Sequence, residues 1–497
     1  MLIYFVIVPI LIAVLLYLSP LEKVTRVLAI VVQSGLLAAS FFLFYQAREE
    51  DITVAIGGYS DIFLGIVLRA DPLAAVFILL TAFIFLMVVL YTFSDNQSRL
   101  FWFLLFIWEA ALIGVFLAGD LFNIFVMTEV MTVVVAVLIM YDRKNRSMYD
   151  GIIYLMINIV VIQFYLLGLG YFYRIVGIMD MQGAAAMVAE VDPSQLVLPY
   201  ALIMTFVALK CAFMPVYGWL PKAHSTPGAF PAVSAVLSGL HIKSGVYLFL
   251  RFQDMFGDVA ISEFYVLVGL VTAFSGVIFA ISQKDIKKVL AYSTIAQVGL
   301  IVAGLNLGGE QNFAGGLFHS INHALFKAAL FLISGVIAHA YGTRDVNKIR
   351  GVFSTMPIVG FTTMLAIFGI AGMPFFNGSI SKYFLMYDVS GPLYWAMSLV
   401  NLGTIMICIK LGLMLFGKPL PEHTPSEAAV EHEELDGWKQ LPILVLAGMC
   451  FAFGVFGEFI MSFLFNFEFG INWLGFGEKA GIFVITVSAA VLIFKFA

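Results

Sequence analysis

Charged residues make up only 11% of this 497-residue chain, whereas 62% are apolar. An average soluble domain carries roughly 25% charge. A chain this poor in ions cannot cover a globular surface with them, which excludes a soluble enzyme and leaves a polytopic membrane protein. Cysteine is nearly absent as well. Cys211, Cys408 and Cys450 stand alone in separate segments, so no CxxC pair and no haem or iron–sulfur spacing exists, and the three read as small core residues. The net charge of -5 offers no basic stripe, which excludes nucleic acid as a partner. No basic residue precedes the first apolar run, MLIYFVIVPILIAVLLYL, and no small-residue cleavage site follows it. It reads as a retained span rather than a signal peptide.

What the chain has in abundance is long apolar runs. At about 20 residues per crossing, these lie near 2–18, 24–45, 73–93, 100–118, 121–141, 152–173, 199–217, 231–250, 264–281, 289–307, 313–340, 356–386, 393–416, 441–463 and 482–496. The expected fold is an all-α polytopic membrane protein of fourteen or fifteen transmembrane helices, one membrane domain over 1–497. The odd-numbered loops carry thirteen cations, Lys23, Arg26, Arg99, Arg143, Lys144, Arg146, Lys222, Lys284, Lys287, Lys288, Arg344, Lys348 and Arg350. The even-numbered loops up to the tenth carry four, Arg48, Arg69, Arg174 and Arg251. The positive-inside rule then puts the odd loops in the cytoplasm and the N-terminus outside. The longest polar stretch, 417–440, holds Glu422, Glu427, Glu431, Glu433, Glu434 and Asp436 with His423 and His432. It reads as a solvated acidic cytoplasmic loop or docking surface rather than a metal site.

Against this background the ionisable residues inside the runs stand out. They are Glu109 in span 4, Glu129 in span 5, Lys210 in span 7, His241 and Lys243 in span 8, and His319, His323 and Lys327 in span 11. Lys382 lies in span 12 and Lys410 in span 13. Each costs at least roughly 2.5–3.5 kcal/mol at the bilayer centre on insertion scales, so their number argues for function. Snorkelling near a span end competes as a reading for Lys410, His241 and Glu109. His319, His323 and Lys327 recur every four residues, on one helical face. That stack suits a proton relay, because imidazole both donates and accepts and titrates near neutrality. HxxxH without a cysteine or clear carboxylate partner does not suit a metal.

Two helix breaks flank the lysines. In 208–251, Pro215, Pro221, Pro227 and Pro231 separate Lys210 from Lys243, and in GIAGMPFFNGSISKYF, Gly372, Pro374 and Gly378 precede Lys382. Broken helices at membrane depth survive only where protein or water lines them. Lys210 to Lys243 is 33 residues and Lys382 to Lys410 is 28, so the pattern occurs twice, as in internal-repeat transporters. The halves would be 100–251, helices 4 to 8, and 264–416, helices 9 to 13, followed by C-terminal helices over 441–497.

The motifs GDLFNIFVMTEVM, LKCAFMPVYGWLPKAH, SGLHIKSGVYLFLR, QKDIKKVLAYSTIAQVG, FHSINHALFKAALFLISG and GMPFFNGSISK resemble those of the antiporter-like subunits shared by Mrp-type Na+/H+ antiporters, membrane-bound hydrogenases and respiratory complex I. The resemblance covers most of 119–384. NHALFKAALF and IGGYSDIFLGIVLRADPL, near Ile56, look closest to the D subunit of Mrp antiporters and its hydrogenase relatives. It implies two inverted five-helix repeats, with Glu129 paired to Lys210. Lys243, His319, His323 and Lys327 would form the connecting relay and Lys382 the terminal proton site. It also implies a prokaryotic cell membrane and partner membrane subunits. The apolar run over 480–497 departs from the pattern expected of that Mrp subunit.

The expected function is proton translocation in a multisubunit cation/proton antiporter. The alternatives are the ion-pumping membrane arm of an energy-converting redox complex, with no redox site on this chain, and a non-conducting scaffold. The substrate would be H+, with Na+ a second candidate. No cofactor is expected. Sodium needs oxygen ligands, for which Glu109, Asp120 and Glu129 are the candidates.

Overall fold

The computed structural model describes residues 1–20, 22–57, 65–95, 97–426, 430, 433, 436–467 and 470–496, those of 22, 23 and 494–496 by backbone alone. Glu427, Glu431, His432 and Glu434 of the acidic loop lie outside the described residues, as does 58–64 of the stretch that opens at Ile56.

The long apolar runs fold as helices because only a helix satisfies its own backbone groups in hydrocarbon. In order they are α1 (Tyr4–Leu18), α2 (Glu22–Ala47), α3 (Pro72–Tyr91), α4 (Arg99–Leu117), α5 (Leu121–Ile139), α6 (Asn145–Val176), α7 (Met181–Val188) and α8 (Pro193–Lys210). Then come α9 (Trp219–Ser225), α10 (Pro231–Val236), α11 (Ile242–Phe256), α12 (Ser262–Ser282), α13 (Ile286–Leu305), α14 (Glu310–Tyr341), α15 (Val352–Thr355) and α16 (Pro357–Ala371). The chain closes with α17 (Asn377–Leu385), α18 (Gly391–Gly412), α19 (Gly437–Val455), α20 (Gly457–Phe465) and α21 (Trp473–Phe496). Among the described residues, thirteen helical stretches are long and apolar enough to cross a membrane, and α1 and α16 are shorter apolar helices. Together these lie under the apolar runs of the sequence.

Four features depart from the expected all-helical reading. Ile52–Ile56 (β1) and Ile66–Ala70 (β2) form an antiparallel hairpin, with Ile52 opposite Ala70 and Ile56 opposite Ile66. Alternating burial along β1 is its signature, and the alternation in ITVAI is the strand pattern that a search for membrane spans passes over. The short helix α7 lies between spans. The last helix starts at Trp473 rather than near 482, because Gly475, Gly477, Glu478 and Lys479 continue the helix instead of forming a loop. Finally, Glu433 of the acidic loop is not solvated. It is 2% exposed, and its carboxylate meets His339 at 2.9 Å and Lys439 at 2.9 Å.

Helix α14 is the hub. Of its 32 residues 26 are buried, against α10, α13, α16, α17 and α19. Small residues let α12 and α13 come together backbone to backbone, since a Cβ at Gly269, Gly276 or Gly299 would collide with main-chain atoms of the facing helix.

One structural device occurs twice, 165 residues apart. Asp120 forms a bridge with Asp180, and Asp285 with Asp345. In the first, Leu121 N donates to Met179 O and Met181 N to Gly119 O; in the second, Ile286 N donates to Arg344 O and Val346 N to Lys284 O. Each first aspartate also caps the helix it precedes, Asp120 accepting from Asn123 N and Asp285 from Lys287 N. The helices between, α6 and α14, each run 32 residues and each end on a left-handed glycine, Gly177 or Gly342.

Candidate functional site

Both sequence-predicted breaks are present. Helix α8 ends at Lys210, and the chain passes through Ala212, at φ 52, and a 3-10 turn before α9. Helix α16 ends on the left-handed Gly372, and Phe375, at φ 69, precedes α17. A non-glycine residue in the left-handed region costs roughly 1–2 kcal/mol, so each break stores strain that the surrounding packing must hold. Gly245 of α11 allows this at the first break, because a Cβ there would sit 2.7 Å from the carbonyl carbon of Lys210. Between α10 and α11 the residues Leu237–His241 form a π-helical turn just before Lys243. Such turns free backbone groups and re-aim side chains, often at functional sites.

Lys210 is buried and donates to Asn158 Oδ1 at 2.7 Å and Thr132 Oγ1 at 3.0 Å, with its ammonium 5.6 Å from the Phe206 ring centre. The expected direct pairing with Glu129 is not made: Glu129 feels the Lys210 charge, but its Oε1 has no hydrogen-bond partner among the described residues. The physical reason is competition, because Thr132, one turn along α5, and Asn158 on α6 supply the nearer oxygens. His241 follows, with Nε2 3.4 Å from the Tyr154 hydroxyl and its ring edge-on to Trp108 and Trp219.

Lys243 Nζ lies 2.5 Å from His323 Nδ1, and both side chains are fully buried. His323 Nε2 has no partner among the described residues. The three stacked groups of α14 therefore point to different neighbours rather than to one another. Lys327 donates to Leu290 O at 2.9 Å and to Ser293 Oγ. His319 sits between Ser381 Oγ at 2.8 Å and Gln297 Oε1 at 2.9 Å. Its tautomer follows from the network. Thr404 gives its hydroxyl proton to Val400 O, so it accepts from Gln297 Nε2; this leaves Gln297 Oε1 to accept from His319 Nε2–H, while Ser381 Oγ, beside Nδ1, also lies 3.1 Å from Asn377 O. Lys382 donates to Ile370 O, Ala371 O and Asn401 Oδ1, at 2.8, 3.3 and 2.8 Å. That ties the end of α16 to α18 through α17.

The secondary candidates separate. Glu109 is fully buried and accepts from Gln33 Nε2 at 2.6 Å, away from the lysines. Asp120 uses both oxygens on backbone amides, Asn123 N at 2.7 Å and Val67 N at 3.1 Å, so it fastens the hairpin to α5 instead of offering free sodium ligands. Lys410 donates to Ile281 O at 2.7 Å and to Gln283 O, capping the carbonyl end of α12. Among the described residues no cluster of three or more His, Cys, Asp or Glu could hold a metal.

Sequence reasoning missed Thr132, Asn158, Gln297, Ser381 and Asn401, polar residues in apolar runs, which is the signal that would have found them. It also missed His224, buried flat on Phe331 at 4.4 Å with neither ring nitrogen partnered among the described residues. Lys287, counted as a loop charge, is 4% exposed and donates to Ala229 O.

Fold and site thus define a polytopic helical membrane protein whose interior carries a file of lysines, histidines and amides between two broken helices. The chain belongs to the NADH:quinone oxidoreductase/Mrp antiporter transmembrane family, whose model matches residues 118–408. It is 30% identical over 456 residues to the D subunit of the Na(+)/H(+) antiporter of Alkalihalophilus pseudofirmus, covering 89% of this chain and 90% of that one. It is 31% identical over 423 residues to the N subunit of the NADH-quinone oxidoreductase of Desulforudis audaxviator, covering 80% and 83%. Its fold matches a chain of the Mrp complex from Dietzia sp. DQ12-45-1b with a TM-score of 0.84 at 24% identity, over 93% of this chain and 95% of that chain. It also matches a chain of an archaeal membrane-bound sulfane sulfur reductase with a TM-score of 0.83 at 21% identity, over 99% of both.

Proposed function

We propose that this chain is a proton-translocating, antiporter-like component of a multisubunit cation/proton antiporter in a prokaryotic cell membrane. The observation that carries the reading is the buried contact between Lys243 and His323. An amine and an imidazole 2.5 Å apart, on different helices and away from water, can share one proton between two nitrogens. Lys210 with His241 on one side, and Lys327, His319 and Lys382 on the other, would extend the relay, each hydrogen-bonded to its own neighbours. The duplicated bridge-and-cap device supports two repeats, and the odd number of crossings between its copies makes them inverted. The positive-inside pattern favours cytoplasmic odd loops.

Transport is coupled titration. Glu129 near Lys210 favours the ammonium; when the carboxylate is neutralised or withdrawn, the amine in low dielectric gives up its proton towards Lys243. Lys382 receives it last. Sodium, if it crosses this chain, uses oxygens other than those of Asp120.

The sequence similarity to an antiporter component over nine-tenths of both chains favours this reading. The full-length fold match to a chain of a sulfur reductase, C-terminal helix included, favours the redox-driven membrane arm as the second. Purifying the assembly and identifying the other chains in it decides between them. Glu129→Ala or Lys210→Ala in everted vesicles is expected to abolish antiport with assembly intact; retained pH-dependent antiport would overturn the proton path itself.

A further inference from the structure

Between α17, α18 and α21 lies a cavity, lined at one end by Tyr383, Met386 and Phe476 where α17 finishes and α21 begins, that reaches Lys382. Its wall includes Ser379, Ser398, Asn401 and Thr486, polar groups of the kind that hold water. It also includes a second amine, Lys479, contributed by the C-terminal helix. Lys479 donates to Tyr383 O at 3.1 Å and Met386 O at 3.2 Å and lies 4.7 Å from the Tyr383 ring centre. The two lysines are therefore mounted alike. Lys382 holds the carbonyl end of α16, Lys479 holds the carbonyl end of α17, and both line one cavity.

We infer that Lys479 is the last protonatable group of the path, receiving protons from Lys382 through this cavity and releasing them at the open end. The inference rests on the reading of Lys382 as the terminal site of the relay. In each transfer one N–H bond of the Lys382 ammonium breaks, water carries the proton, and a new N–H bond forms on the lone pair of the Lys479 amine. The Lys479 ammonium then returns one proton to water, so atoms and charge balance. Two ammonium groups around one cavity repel, and a proton arriving on Lys382 therefore drives the previous one off Lys479. The groups facing Lys479 are Lys382 and Tyr383 from α17 and Tyr394 from α18, with Glu478 exposed on its own helix. Among the described residues no carboxylate lines this cavity to neutralise the pair.

The test separates a relay from a staple. Proton flux is measured across everted vesicles holding the complete assembly, driven by whichever imposed cation gradient or electron donor energises the wild type. Subunit content is assayed in parallel. Arginine keeps the charge and the carbonyl contacts but does not deprotonate. Lys479→Arg and Lys479→Met are both expected to slow flux by on the order of 10²-fold, as loss of a proton-transfer group does. Lys479→His is expected to restore part of it with the pH optimum moved to lower pH. Wild-type flux and pH profile in Lys479→Arg, with Lys382→Met inactive, would overturn the assignment of Lys479 and leave the relay standing. Retained flux in Lys382→Met would overturn the relay, and this inference with it.

Discussion

At the residue scale, three of the lysines are held by neutral oxygens. Lys210 rests on an amide and a hydroxyl, Lys327 on a carbonyl and a hydroxyl, and Lys382 on two carbonyls and an amide. Neutral partners solvate an ammonium without fixing its charge, whereas a contact carboxylate would bind the proton too firmly to pass it on. Asn158→Leu removes one of these neutral partners from Lys210. Loss of one buried acceptor, worth about 1–3 kcal/mol, is expected to slow transport by roughly ten- to hundredfold, measured as antiport rate per assembled complex. Outside the crossings, Asp71 gives a pH-dependent handle. Burial raises its pKa, but the hydrogen bond and charge of Arg251 at 2.6 Å, with Ala74 N, outweigh burial and leave it below the ordinary value of 3.8. A depressed carboxylate stabilises the fold above its unfolded pKa and loses that contribution as pH falls through the folded one. Asp71→Asn is thus expected to lower the unfolding midpoint of detergent-solubilised protein at pH 7, and the difference from wild type should begin to shrink below about pH 4 and vanish only once the pH is under the depressed folded pKa.

At the element scale, two interrupted helices are kept in register by small residues. Gly378 at the start of α17 faces Gly369 O of α16 so closely that a Cβ would collide with that carbonyl. Gly378→Ala is expected to push α17 off α16, detach Lys382 from Ile370 and Ala371, and abolish transport; proteolysis at the break would report the displacement. The paired caps predict something else. Asp120→Ala and Asp285→Ala should each cost about 1–2 kcal/mol of stability for the lost cap alone, seen as drops in thermal midpoint, with Asp120→Ala also freeing the hairpin at Val67 N and Asp285→Ala also losing the Arg344 ion pair.

These elements also mark what the sequence could and could not reveal. The helices, both breaks and the principal buried ions were legible, because hydrocarbon punishes a stray charge and proline punishes a continuous helix, so both leave a local trace. Partners were not. Whether Glu129 meets Lys210 or yields to Thr132 and Asn158 depends on how α5, α6 and α8 pack, and no local pattern encodes that. Lys479 was missed because it sits among glycines that read as a loop. Lys287 was misassigned because three lysines in five residues read as surface. The β hairpin escaped because its strands are five residues each beside spans four times as long.

At the scale of the whole molecule, a broken helix with a lysine follows each copy of the bridge-and-cap device, and α14 packs against α10, α16 and α17. That arrangement predicts strong coupling between the two breaks. Replacing His323 by alanine removes the partner of Lys243 without touching either break, and is expected to stop transport while leaving the thermal midpoint within a few degrees of wild type. A large drop in midpoint would instead make His323 a core residue.

Lys382 holds the loose end of α16 with the same nitrogen that would carry the cargo. On the proposed path, loss of that proton weakens one tie at the interrupted helix and loosens the scaffold where it is already strained. Thermodynamic reciprocity then requires the converse: a neighbouring protein or lipid that stiffens this break also makes the amine hold its proton more tightly. A partner with no ionisable group of its own could thereby throttle or prime the channel by mechanical grip alone.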